Sequence, residues 1–80
     1  MATARVKLFA TLRDYRPGLS LGEAFPVVVA DGATVQQLLE ALGVPASEVK
    51  LIFVNGLVRD TQHVLADGDE LGIFPPVGGG

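Results

Sequence analysis

The sequence predicts an α+β domain: a small mixed sheet with one helix across one face. Three observations carry this. Only one stretch, around residues 34–43, has a complete set of helix signals. Several short apolar or alternating runs lie between turn pairs, as strands do. The 80 residues are 49% hydrophobic, enough to favour a packed core over disorder.

Residues 4–10 alternate with period two. Val6, Leu8 and Ala10 fall on one face and Arg5 and Lys7 on the other, the pattern of a half-buried strand. Residues 11–24 hold Arg13, Asp14, Arg16, Pro17, Gly18, Ser20 and Gly22, which is loop chemistry, over a length expected to be mobile. Residues 25–30 read as a second strand, with Pro26 at its start or on an edge.

After the Asp31-Gly32 turn, Thr34 and Gln37 form a capping box. Val35, Leu38, Leu39 and Leu42 follow at i, i+3, i+4 and i+7, giving the helix one apolar face. Gly43 suits the left-handed position beyond the helix, and Pro45 prevents continuation. Val49 to Val54 reads as a strand buried on both faces, and Asn55-Gly56 as a hairpin turn into Leu57 and Val58. Residues 60–66 are irregular, with room for one helical turn. Asp67-Gly68 turns the chain into a last strand, Glu70 to Phe74. The helix should connect the second and third strands as a crossover between parallel neighbours.

Composition narrows the function. There is no cysteine, which excludes disulfides, thiolate metal sites and a cysteine nucleophile on this chain. Six basic and nine acidic residues give a net charge of −3. Beyond Arg59 the charged residues are all acidic: Asp60, Asp67, Asp69 and Glu70. Such a chain is poorly suited to phosphate backbones and better suited to a basic protein surface, so no nucleic acid is expected as a partner. No apolar run approaches the length of a membrane span, and Met-Ala-Thr-Ala-Arg-Val-Lys-Leu lacks the apolar block of a signal peptide. The expectation is a soluble cytoplasmic protein, one domain over residues 1–80, with no membrane partner.

The run Phe74-Pro75-Pro76-Val77-Gly78-Gly79-Gly80 is the most informative stretch. Two prolines end the strand, because each removes a backbone donor and fixes φ. Glycines have no Cβ and can thread a channel too narrow for side chains. From Pro75 to Gly80, at about 3.3 Å per residue, the tail can reach about 20 Å. The prolines stiffen its base and lower the ordering cost of insertion. The alternative is a frayed end without purpose.

Thr34-Val35-x-x-Leu38-Leu39, Val54-Asn55-Gly56, Asp67-Gly68-Asp69-Glu70-Leu71 and Phe74-Pro75-Pro76-Val77-x-Gly79-Gly80 form an ordered set. This set resembles the small ubiquitin-like sulfur carriers of the MoaD/ThiS family, and its ending resembles the molybdopterin synthase small subunit more than the thiamine-pathway carrier. The resemblance implies a β-grasp fold with a flexible tail over about 75–80. It implies that an ATP-dependent adenylating enzyme of the ubiquitin-activating type activates the Gly80 carboxylate. A sulfurtransferase supplies sulfur to make a thiocarboxylate, and Gly79, Gly78, Val77, Pro76 and Pro75 insert into a larger catalytic subunit. No bound cofactor or metal is implied, and ATP belongs to the activating partner. The chain would not be catalytic alone. The acceptor stays open among a molybdopterin precursor, thiamine thiazole, a tRNA base and a cysteine precursor. Conjugation to other proteins through Gly80 is a further alternative, as is a plain interaction module.

Other residues read more plainly. Phe74 falls on the face opposite Leu71 and Ile73, either covered by a loop or exposed as a partner anchor. His63 is the only histidine and reads as a packing or hydrogen-bonding residue rather than a metal ligand. Asp67 and Asp69 read as a turn rather than a calcium site. Arg13, Arg16 and Arg59 are candidates for a partner-facing surface that sequence alone does not place.

Overall fold

A computed structural model describes residues 1–20 and 22–76. The elements are β1 (Ala2–Leu8), a 3₁₀ helix (Ala10–Tyr15), β2 (Phe25–Val29), α1 (Val35–Leu42), a second 3₁₀ helix (Ala46–Glu48), β3 (Leu51–Val54), β4 (Leu57–Arg59) and β5 (Glu70–Phe74). The five strands form one sheet in the order β2-β1-β5-β3-β4. β1 and β5 are parallel, and every other neighbouring pair is antiparallel. The expected α+β class holds.

The helix forms where its signals predict. Thr34 accepts from the Gln37 amide while the Gln37 side chain accepts from the Thr34 amide, satisfying donors the first turn leaves open. Gly43 takes φ 77°, a conformation that costs glycine nothing. Val35, Leu38 and Leu39 are fully buried. They pack in one core with Ala4, Val6 and Leu8 of β1, Phe25 and Val29 of β2, Ile52 and Val54 of β3, and Leu71 and Ile73 of β5. The helix therefore covers one sheet face and leaves the other open.

Four expectations are corrected. β2 and β3 are not neighbours, because β1 and β5 lie between them and the helix crosses over both. The third strand begins at Leu51, after the second 3₁₀ helix, and is buried on one face only: Leu51 is 40% exposed while Ile52 and Val54 are buried. Residues 10–15, expected as strand end and loop, form the first 3₁₀ helix, in which Ala10 is exposed and Leu12 enters the core. No helical turn forms in residues 60–66; instead Thr34 and Val64 make an isolated bridge.

Candidate functional site

The site is built around the end of β5. This strand is bonded along both edges, to β1 on one side and β3 on the other. At its last residues the Phe9 amide donates to the Ile73 carbonyl at 3.1 Å and the Lys50 amide donates to the Phe74 carbonyl at 2.8 Å. The backbone is thus held on both sides up to Pro75, which has no amide to continue the ladder.

Period-two alternation puts Leu71 and Ile73 into the core and Glu70, Gly72 and Phe74 on the open face. Phe74 is half-buried there. Each of the two settings expected for it is partly met, since neighbouring rings flank it without covering it. Phe9 stacks on it with centroids 4.2 Å apart and planes 2° from parallel. Phe53 meets it edge-on at 5.6 Å and 79°. Gly72 lies under two of these rings: a Cβ there would sit 3.5 Å from both the Phe74 and Phe9 rings, in ordinary van der Waals contact. Leu51, paired with Phe74, and Val58, paired with Phe53, extend the apolar surface and are exposed.

Two residues of this cluster, Phe9 and Phe53, escape the sequence reading. The alternation that puts Arg5 and Lys7 outward also puts Phe9 outward, so the signal was present. Phe53 was hidden by reading its strand as buried on both faces. Pro75 is half-buried and Pro76 exposed. Val77, Gly78, Gly79 and Gly80, which carry the predicted chemistry, lie outside the described residues.

The far end of β5 is also tied down. Asn55 takes φ 53° and Gly56 φ 83°, the left-handed pair that a tight hairpin turn requires. The Asn55 side chain donates to Asp69 Oδ1 at 2.9 Å and accepts from the Glu70 amide at 3.0 Å. Asp69 is buried, and its Oδ2 accepts from the Ala66 amide at 2.8 Å. Asp67 accepts from the Thr3 amide at 2.8 Å. Both aspartates thus serve the turn that admits β5.

The remaining candidates lie elsewhere. His63 is half-buried. Its backbone amide donates to the Asp60 carbonyl and its carbonyl accepts from the Val35 amide, so its backbone helps to hold the start of α1. Arg13 donates to the Leu19 carbonyl at 3.1 Å, and the Arg16 guanidinium lies 4.7 Å over the Phe25 ring. Both brace the long connection. Arg59 is exposed on the edge strand β4. Tyr15 donates to a Glu48 carboxylate oxygen, linking the two 3₁₀ helices, and this bond raises the Tyr15 pKa above its ordinary value. Among the described residues no helix is long and apolar enough to cross a membrane.

The model of the Mut7-C ubiquitin family matches residues 1–78. This chain belongs to the Mut7-C ubiquitin family. Its solved structural neighbours share the ubiquitin-like β-grasp architecture, as the resemblance implied. A putative molybdopterin converting factor subunit 1 from Pyrococcus furiosus is 26% identical, with a TM-score of 0.74 over 96% of this chain and 100% of that one. Small archaeal modifier protein 1 from Haloferax volcanii is 31% identical, with a TM-score of 0.72 over 99% and 100%. Its namesake from Methanosarcina acetivorans is 29% identical, with a TM-score of 0.69 over 100% and 98%. No curated protein matches the chain. This Mut7-C ubiquitin domain thus has the fold of ubiquitin-like sulfur carriers and modifiers.

Proposed function

We propose that this chain is a sulfur carrier that works through the Gly80 carboxyl group and serves as the small subunit of a molybdopterin synthase-type complex. The observation that carries the reading is the launch of the tail. A strand bonded on both edges delivers Phe74 into an aromatic cluster and passes directly into Pro75-Pro76. A rigid base followed by a thin, glycine-rich tip suits insertion into a partner's site.

The chemistry asks little of this chain. A carboxylate is a poor electrophile because its charge is delocalised. Attack of the Gly80 carboxylate on the α-phosphorus of ATP in the activating partner gives an acyl-adenylate and releases pyrophosphate. A sulfur nucleophile delivered at the sulfide oxidation level by a sulfurtransferase then displaces AMP. The product is a thiocarboxylate, whose sulfur is the nucleophile for the acceptor. The chain has no cysteine, which supports the Gly80 carboxyl group rather than a thiol as the covalent sulfur site. The apolar residues at the tail's exit, half-buried Phe74 and Phe9 with exposed Leu51, give a partner a surface to grip.

Intact-mass measurement tests this. The natural protein should carry Gly80 as a free carboxyl group. After incubation with an adenylating enzyme, ATP and a sulfur source, one oxygen should be exchanged for sulfur at Gly80. If no exchange occurs, or if a chain lacking Gly80 still transfers sulfur, the reading fails. A second reading, conjugation through Gly80 to lysines of other proteins, is favoured by the two neighbours named as modifiers. Its mark is an isopeptide-linked adduct in cells.

A further inference from the structure

The open sheet face has a charge character opposite to that of the whole chain. Its outward strand residues include two cations, Arg5 and Lys7 of β1, and one carboxylate, Glu70 of β5. The chain as a whole is at −3. The helix, by contrast, exposes Glu40 and carries no cation. Among the described residues, neither Arg5 nor Lys7 has a side-chain ion pair or hydrogen bond; the one ion pair joins the Met1 amino group to Asp31.

These cations border a recess. Lys7 lies opposite Gly72 in the ladder, and Gly72 lies opposite Phe53. With no side chain at Gly72, a gap opens between the Lys7 stem and the Phe53 ring. A groove of about 180 Å³ lies there, lined by Arg5, Lys7, Phe53, Gly72, Glu70 and the Asn55-Gly56 turn. Crossing β1, β5 and β3, it is about 10 Å wide, two strand spacings. It adjoins the Phe9/Phe74 cluster at the tail's exit through Gly72.

We propose that this groove takes an acidic, extended segment of a partner protein. A carboxylate side chain would sit beside Gly72 within reach of Lys7, with an apolar neighbour against Phe53. Charge complementarity selects this occupant: two exposed cations without ion pairs line the β1 wall, Lys7 beside the bare Gly72 and Arg5 opposite Glu70, and the Phe53 ring lines the far wall. Glu70 on the same floor repels a continuous phosphate backbone, yet it leaves room for a segment whose acidic side chains are spaced by apolar ones. The inference rests on the carrier reading in one respect, that a partner approaches this face to reach the tail.

The test is selection of short extended peptides from a displayed random library on the full chain, in parallel with the double variant R5E/K7E. Enriched peptides should pair Asp or Glu with an apolar residue. They should bind the wild-type chain at least about tenfold more tightly than the variant, and the gap should narrow in high salt. On the wild-type chain the best peptide should shift the amide resonances of Lys7, Phe53 and Gly72. Three results would overturn the proposal: enrichment without acidic residues, equal binding to both chains, or shifts confined to Val28 and the β2 edge. Preference for single-stranded RNA over every peptide would overturn it too. The milder variant R5Q/K7Q, checked by circular dichroism, stands in if R5E/K7E fails to fold. Sulfur exchange at Gly80 is read on the wild-type chain without peptide, so failure of the groove and failure of the carrier reading are distinguishable.

Discussion

Replacing Asn55 by alanine should be among the most damaging single changes outside the core. Asn55 makes two side-chain bonds and holds φ at 53°. The bond to the buried Asp69 carboxylate is charge-assisted, worth about 2 kcal/mol, and the bond from the Glu70 amide about 1 kcal/mol. Alanine in the left-handed region adds about 1 kcal/mol, because its Cβ meets the following carbonyl without the local bonding that lets asparagine tolerate it. Asn55 is exposed, so water recovers part of this, and the expected loss is about 3 kcal/mol. For a domain of this size that lowers Tm by about 12–24 °C. Thermal unfolding followed by circular dichroism measures it. Asn55→Gly separates the contributions: it loses the same bonds but relaxes the backbone, so it should be about 1 kcal/mol less damaging than Asn55→Ala. If Asn55→Ala stays within about 1 kcal/mol of wild type, the clamp does not hold β5. If the glycine variant is no better than the alanine one, the backbone argument is wrong.

Phe9→Ala removes the parallel partner of Phe74 and part of a half-buried ring, and should cost about 2 kcal/mol in denaturant unfolding. Because Phe74 then loses one wall, sulfur exchange at Gly80 should slow as well. Thr34→Ala removes the capping oxygen of α1 and should cost about 1 kcal/mol, with the helical signal weakened at the same temperature. Glu48→Gln should bring the Tyr15 titration, followed by tyrosinate absorbance, back toward the ordinary tyrosine value. Tyr15 is protonated when bonded, so its raised pKa adds stability below the unfolded-state pKa of about 10. That contribution disappears as pH rises through the folded-state value, and the variant should lack this alkaline loss.

Much of this molecule is legible from residue order. The helix was readable to its caps because each signal there is local: Thr34 with Gln37, the apolar spacing, Gly43, Pro45. The Asn55-Gly56 turn and the outward direction of Phe74 were readable for the same reason, since turn chemistry and alternation act within a few residues. What was not readable depends on partners distant in sequence. Nothing near Asn55 announces that its side chain will meet Asp69, and nothing in the helix says that two strands will lie beneath its crossover. Strand order needed the placement of β5 between β1 and β3. Phe53 was misjudged because an apolar run looks the same whether one or both faces are buried. Among the site residues, Phe74 could be placed from pattern, while its neighbours Phe9 and Phe53 required the sheet to be assembled.

The position of β5 has a consequence for when the molecule becomes usable. β5 is the last of the described strands along the chain and the middle one in the sheet. Without it, β1–β2 and β3–β4 are two ribbons that no ladder joins. Joining them requires contacts between opposite ends of the chain, which makes folding slow relative to locally wired domains. The strand that closes the sheet is also the strand that carries the tail's base. Assembly and display are therefore a single event: an incompletely folded copy has neither the groove nor a rigid stem, so a partner that reads both discriminates against unfinished molecules.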